Sequence, residues 1–254
     1  MLSIIIPTLN EENYLPLLLE SITRATARGE EEDLSSSPKK QRFEDFEVIV
    51  ADAGSRDKTR DIAQKFGCRL TKGGGNPAKG RNEGAKIAKG DLFLFLDADI
   101  IIPEDFLEKS LSEFKKRKLD VASYCLIPQT DNSLIKFAFN LLYNWLILIL
   151  QNILPHAAMG ILVKREVFDR VGGFNEEIKM AEDHFFARQA SKFSKFGVIN
   201  STKIYITLRR YEKDGYLYTY FKYFLCEFYM LSGKPAKSDL FKYEFDQYSK
   251  KQRN

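Results

Sequence analysis

Asp97 and Asp99 stand one residue apart, on either side of Ala98 and directly after the apolar run Leu92-Phe93-Leu94-Phe95-Leu96. Nothing basic lies beside them in the sequence, so two neighbouring carboxylates repel and need a cation. Oxygen-only ligands suit a hard ion, Mg²⁺ or Mn²⁺, which usually bridges to substrate phosphates. An Asp-x-Asp alone also occurs as an ordinary surface cap, and its location separates the two. A short run apolar on both faces predicts a strand buried in a parallel sheet. Ligands of open α/β sheets bind beyond the carboxyl ends of such strands.

Other segments belong at the same rim. The first strand ends in Pro7-Thr8-Leu9-Asn10-Glu11 and the second in Asp52-Ala53-Gly54-Ser55. Asp52 can accept a hydrogen bond from a nucleobase imide or amine, and Gly54 permits close backbone approach; turn and cap roles are the alternative. A glycine-rich loop, Gly73-Gly74-Gly75, leads into a helix carrying Lys79 and Arg81. Backbone N–H groups, helix dipole and cations together favour a phosphate there, unless the segment is simply a solvated basic helix start. It matches neither the P-loop nor the Gly-x-Gly-x-x-Gly dinucleotide pattern.

Glu182-Asp183 opens a helical segment over 184–193. An acidic pair at a helix start is often a cap, but a carboxylate aimed into a cleft can take a proton from an attacking hydroxyl. His156 and His184 are the two histidines; each is either a third metal ligand or structural. Arg209-Arg210 follows a predicted strand over 203–208, where the pair clamps a phosphate or pyrophosphate or ends the strand in solvent.

The elements that must position these residues alternate in the first half. Strands are predicted over 2–6, 48–51, 68–70 and 92–96, with helices over 12–27, 57–66 and 78–88. This βαβα order implies a parallel sheet with right-handed crossovers. Residues 28–42 run acidic, Ser-rich, then basic, the composition of a mobile surface loop. The catalytic unit is placed at 1–210, including an amphipathic apolar helix over 133–154, followed by an aromatic helical segment over 211–254. Within 134–150, Lys136, Asn140 and Asn144 fall with Ser133 and Gln151 on one narrow stripe of a largely apolar helix. That span is short of the roughly 20 residues a membrane crossing needs. Residues 216–231 are crowded with tyrosine and phenylalanine, which suit a membrane–water boundary. The apolar helices either pack on the sheet or across a homodimer, or lie in the cytoplasmic leaflet as an interfacial anchor.

The 254-residue length allows one large α/β domain with an appendage, and 44% hydrophobic residues suffice for a full core. A net charge of +4 is too diffuse to indicate nucleic acid. Three scattered cysteines, Cys68, Cys125 and Cys226, read as ordinary thiols of a reducing compartment. A strand begins directly at the N-terminus and leaves no room for a signal peptide, so a cytoplasmic protein is expected, peripheral on the inner face of the cell membrane.

Read together, these pieces resemble the family 2 glycosyltransferases of the GT-A fold. The resemblance rests on residues 4–12 (Ile-Ile-Ile-Pro-Thr-Leu-Asn-Glu-Glu), Ala51 to Thr59, Ala78 to Gly84, Gly90 to Asp99, Val171-Gly172-Gly173-Phe174 and Glu182-Asp183, in the family's order over about residues 1–200. It implies a Rossmann-like α/β fold with a mixed, mainly parallel sheet flanked by helices, and inverting transfer from a nucleoside-diphosphate sugar. Thr8, Glu11 and Asp52 would hold base and ribose, within donor-binding segments that include Pro7, Asn10, Gly54, Lys79, Arg81 and Ala98. Asp97 and Asp99 would bind ribose and the divalent metal, and Asp183 would be the base, with Glu182 beside it. The acceptor expected is a polyprenyl phosphate or a lipid-linked glycan. Departures are specific. The adjacent aspartates frequent after the second strand are Asp52-Ala53 here. The Gln-x-x-Arg-Trp motif of processive synthases is replaced by Leu208-Arg209-Arg210-Tyr211, which implies single transfer. Ile101 stands where some relatives that charge dolichyl or polyprenyl phosphate carry a glutamine. A nucleotidyltransferase would carry its glycine-rich loop straight after the first strand; a non-catalytic membrane scaffold would have no use for the paired acids.

Overall fold

The computed structural model describes residues 1–26, 45–178 and 180–216, together with 218, 219, 221, 222, 225 and 226. The expected loop over 28–42 and most of the aromatic segment over 211–254 lie outside the described residues.

The first half follows the alternation. Strand β1 (Leu2–Thr8) is buried along its whole length, and helix α1 (Leu15–Thr26) covers one side of it. Strand β2 (Phe46–Asp52), helix α2 (Thr59–Lys65), strand β3 (Arg69–Lys72), helix α3 (Pro77–Ile87) and strand β4 (Leu92–Leu96) follow. Alternate residues of β1 serve opposite faces, as strand geometry requires. Ile4 and Ile6 pack with Leu15, Leu18, Leu94 and Leu96, whereas Ile5 packs with Ile49, Phe93 and Phe95. Each such side chain, once fully buried, contributes roughly 1.5–3 kcal/mol. The parallel registers pair Thr8 with Asp52 and Ile5 with Phe95, so the polar strand ends open at one edge of the sheet.

The second half closes the sheet with four more strands, of which only the stretch over 203–208 was expected. Strand β5 (Ile100–Ile101) and helix α4 (Phe106–Lys116) precede strand β6 (Val121–Pro128). Strand β7 (Gly160–Lys164), helix α7 (Arg165–Val171) and helix α8 (Glu182–Ser191) lead to strand β8 (Phe196–Ile206) and helix α9 (Arg209–Asp214), with α5 and α6 defined below. The eight strands run β3-β2-β1-β4-β7-β6-β8-β5. β7 is antiparallel to both β4 and β6, and β5 to β8, so the sheet is mixed. The strand expected over 203–208 is the end of the longer β8, which pairs with β6 across a bulge at Tyr124/Cys125. Gly160 stands where β7 meets β4 opposite Leu96, and a Cβ there would lie 2.4 Å from Ile204 Cδ1, so that side chain would have to shift.

The apolar helix deviates from its sequence pattern. Helix α5 (Ser133–Phe139) widens into a π-helical stretch (Asn140–Trp145) before helix α6 (Leu146–Leu150). The expected polar stripe is split: Lys136 and Asn140 are exposed, whereas Asn144 is 4% exposed. The amide of Asn144 accepts from the N–H of Leu126 and donates to its carbonyl, both at 2.8 Å. It thus mimics a strand neighbour for β6 and pins the helix flat against the sheet. An orphaned buried amide costs about 1–3 kcal/mol, which is why that polar residue turns inward.

Candidate active site

At the carboxyl ends of β1 and β4 lies a cavity of about 410 Å³. Its polar wall is Glu11, Arg81, Asp97, Asp99, Glu182, Asp183, Arg209 and Arg210, with His156 and His184 beside it. Its apolar wall includes Phe139, Leu142, Tyr143, Leu146, Ile147 and Leu150 of the pinned helix.

The absence of basic residues beside Asp97 and Asp99 holds only along the chain. Arg81, on the second turn of α3 and 4% exposed, donates to Asp97 Oδ1 at 2.6 Å and also to Glu182 Oε1. Its guanidinium lies 5.2 Å from the Phe174 ring. Asn82, next on α3, holds Phe174 in place by bonds to its carbonyl and N–H of 2.9 and 2.8 Å. The Val171-Gly172-Gly173-Phe174 turn is therefore a support for Arg81; Gly173 has φ +80° and no room for a Cβ beside Asn82. Across the cavity Arg209, the first residue of α9, donates bidentately to Glu11 at 2.9 and 2.8 Å and forms an ion pair with Asp99, Nε lying 2.9 Å from Oδ2. Tyr14 stacks under it at 4.6 Å, and Thr207 adds a 3.3 Å bond to Asp99.

Charge is left over. The cavity carries five carboxyl groups against three arginines, an excess of two negative charges when all are ionised and the histidines neutral. Burial, followed by the Glu182 charge, pushes Asp183 up to about 8. Burial likewise takes Glu11 to about 7 despite Arg209, and raises Asp97 against the opposing pull of Arg81. Burial alone would loosen the protons of Arg81 and Arg209, but the carboxylates outweigh it and hold both cations more firmly. Among the described residues no three His, Cys, Asp or Glu side chains converge as a cation cage, so neither histidine completes a metal set with the aspartates. The rings of His156 and His184 instead lie against each other, centroids 3.8 Å apart and tilted by 45°, with His184 Nε2 3.8 Å from Asp183. Asp97 and Asp99, once ionised, are the oxygen donors that would fit one hard divalent ion completing its shell from a diphosphate and water.

Backbone strain surrounds the site. Of the four described non-glycine residues with positive φ, three adjoin it: Asn10 at 55°, Met159 at 62° and Ala181 at 61°. Such conformations cost about 1–3 kcal/mol and cluster where function requires them. Ala181 starts α8 in the left-handed region with no side-chain cap of its own; Glu182 and Asp183 line the cavity, and Asp183 Oδ1 also accepts from the His184 N–H at 2.9 Å. The Met159 carbonyl accepts from the Asp97 N–H at 3.2 Å. Met159, Ala181, Tyr14 and Thr207 escaped sequence reasoning because none bears a chemical signal of its own.

Not every anticipated residue lines the cavity. Pro7 and Ala98 do; Thr8, Asn10, Asp52, Gly54 and Lys79 do not. Thr8 and Asp52 are buried neighbours joined at 3.3 Å. Asp52 also accepts from the N–H groups of Gly54 and Ser55 and the Ser55 hydroxyl, at 3.1, 3.0 and 2.5 Å, the turn-forming role. Asn10 and Glu11 are tied to this turn and to α2 through Ser55 and Thr59, both at 2.8 Å. At the start of α3, where a phosphate cradle is expected, Asn76 accepts from Lys79 N–H at 2.9 Å and the Lys79 side chain is exposed.

A family model described as Glycosyl transferase family 2 matches residues 3–175. The chain belongs to glycosyl transferase family 2. The family match stops short of Glu182-Asp183 and of Arg209, which the fold brings back to the matched part. Among curated relatives, the poly(ribitol-phosphate) beta-N-acetylglucosaminyltransferase TarS of Staphylococcus aureus is 26% identical over 223 residues, covering 82% of this chain and 35% of its own. A glycosyltransferase of Rickettsia typhi is 28% identical over 197 residues, covering 72% and 56%. The chain thus spans between about a third and somewhat over half of these relatives. The structure of TarS 1-349 in complex with UDP-GlcNAc superposes with TM-score 0.60 at 25% identity, over 81% of this chain and 58% of that one. A mannosyltransferase from Pyrobaculum calidifontis, solved with GDP-Man and Mn2+, superposes with TM-score 0.58 at 21% identity, over 80% and 56%. The family's GT-A architecture, a curled and mostly parallel sheet between helices, is the fold of this chain.

Proposed function

We propose that the chain transfers one sugar, with inversion, from a nucleoside-diphosphate sugar to an acceptor with a nucleophilic oxygen and an apolar body. The observation that carries this reading is the single cavity in which Asp97, Asp99 and Asp183 face the apolar wall from Phe139 to Leu150. Its polar side suits the diphosphate and the reacting carbon. Its apolar side suits a polyprenyl phosphate or a lipid-linked glycan presented at the cytoplasmic face of a membrane.

The chain's own groups support the chemistry. Asp183, whose pKa burial and the Glu182 charge push up to about 8, is a general base of high proton affinity for an acceptor hydroxyl. A phosphate acceptor needs no base, and Asp183 then only orients it. Attack comes from the face opposite the diphosphate, which inverts the anomeric carbon. Arg209 and Arg210 are placed to take up charge as the diphosphate leaves. Mg²⁺ or Mn²⁺, when held by Asp97 and Asp99, would supply further neutralisation of that leaving group. The relatives named for N-acetylglucosaminyl and mannosyl transfer support a hexosyl donor; the solved complexes hold UDP-GlcNAc and GDP-Man.

The test is product mass. The chain is incubated with UDP-, GDP- and CDP-sugars, Mn²⁺ and a short polyprenyl phosphate in detergent. A lipid heavier by one sugar residue, and never by several, is expected. Transfer only to water or to a polyol phosphate would overturn the acceptor assignment.

A further inference from the structure

The apolar segment Ser133–Leu150 has a mean hydropathy of 1.7, yet only 17% of it is buried in the protein. Leu134, Phe137, Leu141, Trp145 and Ile149, continued by Ile153 after the helix, form an outward stripe at helical spacing. So many large apolar groups in contiguous array exceed the scattered exposures normal for a soluble surface. Two residues belong to both surfaces. Leu142 and Leu146 are 53% and 45% exposed and also line the cavity, so the chamber opens onto the apolar face.

We infer that this face beds into the interfacial layer of a phospholipid bilayer, and that the gap rimmed by Leu142 and Leu146 admits an acceptor's hydrocarbon chain sideways from it. The inference rests on the apolar-acceptor reading for the second half only. A lipid surface fits better than a crossing because the helix lies along the domain. Asn144 is bonded at both ends of its amide to β6, and Gln151, just past the helix, accepts from Val198 N–H at 2.9 Å and from Arg117 at 3.0 Å. Spanning a bilayer would strip out these bonds. The π-helical stretch serves the same arrangement: it turns Asn144 to the sheet while keeping Leu141 and Trp145 outside. Charge is complementary as well. Lys136 is exposed on the same helix, and Arg210 stands at the cavity near Lys222. Cations beside an apolar stripe match the phosphate layer above the acyl chains.

Trp145 is the sole tryptophan of the chain and 57% exposed, which makes it a native probe. The full chain, without donor, is mixed with vesicles of phosphatidylcholine alone or containing phosphatidylglycerol. The expected result is blue-shifted Trp145 emission, quenching by lipids brominated near the headgroup, and co-sedimentation that strengthens with the anionic lipid. Ile149→Glu, which lies outside the cavity, is expected to weaken co-sedimentation about tenfold or more at an unchanged melting temperature, and Phe137→Glu serves as a second variant. Unchanged emission with both vesicle types would overturn the inference. So would a dimer in sedimentation velocity that shields Trp145 and persists with lipid. Vesicle binding without glycolipid product removes the acceptor reading alone; glycolipid product without vesicle binding removes the bilayer face alone.

Discussion

Arg81→Met tests the electrostatic frame of the site most directly. The substitution keeps the aliphatic length that packs near Phe174 but removes the guanidinium shared by Asp97 and Glu182. The side chains involved are 4%, 26% and 9% exposed. At an effective dielectric constant near 20, each close charge pair is worth about 4 kcal/mol before desolvation. Removing one partner of a buried pair costs about 3–5 kcal/mol, because it strands the other charge. A domain of this size loses roughly 2–4 °C of melting temperature per kcal/mol, so a fall of about 6–20 °C is expected at pH 8. The deficit has a defined pH course. Asp97 and Asp183 already hold protons above their ordinary values, and the variant raises both further. A carboxyl whose folded pKa exceeds its unfolded one favours the fold at low pH and loses that contribution as pH rises towards the folded value. The variant should therefore approach wild type near pH 5 and fall furthest behind above pH 8. Thermal melts across that range decide it: melting within about 2 °C of wild type at pH 8 would refute the idea that Arg81 neutralises these acids.

Asp183→Asn removes the most perturbed carboxyl, so the wild-type loss of stability between about pH 4 and 8 should flatten in the variant. Its turnover should collapse with a hydroxyl acceptor and survive in large part with a phosphate acceptor, as initial rates will reveal. Asp99→Asn should abolish the part of donor-induced thermal stabilisation that depends on Mn²⁺. At 100 times the dissociation constant that stabilisation is about 2.7 kcal/mol, and an undiminished Mn²⁺ effect in the variant removes Asp99 as a ligand. Asn144→Leu leaves the N–H and carbonyl of Leu126 without partners and should cost about 1–3 kcal/mol in denaturant titration; a neutral outcome would mean that the helix is held by its apolar contacts alone.

Much of the architecture follows from local pattern. The strand-helix alternation to residue 96, the polar ends of β1, β2 and β4 at one rim, and the acids after β4 and at the start of α8 all rest on short-range spacing that one stretch of chain contains. Of the second-half strands only the end of β8 was legible, since β5, β6 and β7 are defined by pairing with strands distant in sequence. The Asn144 reversal is of the same kind: a helical wheel shows a polar stripe, but only β6 supplies the backbone that draws it inward.

By itself, then, the sequence determined which groups are present and which strand ends carry them, because hydrophobic period and turn chemistry are local properties. Tertiary structure decided which charges meet. Arg81 finds Glu182 across 101 residues and Arg209 finds Glu11 across 198. Coulomb energy depends on distance in space and on burial, and neither quantity is written along the chain.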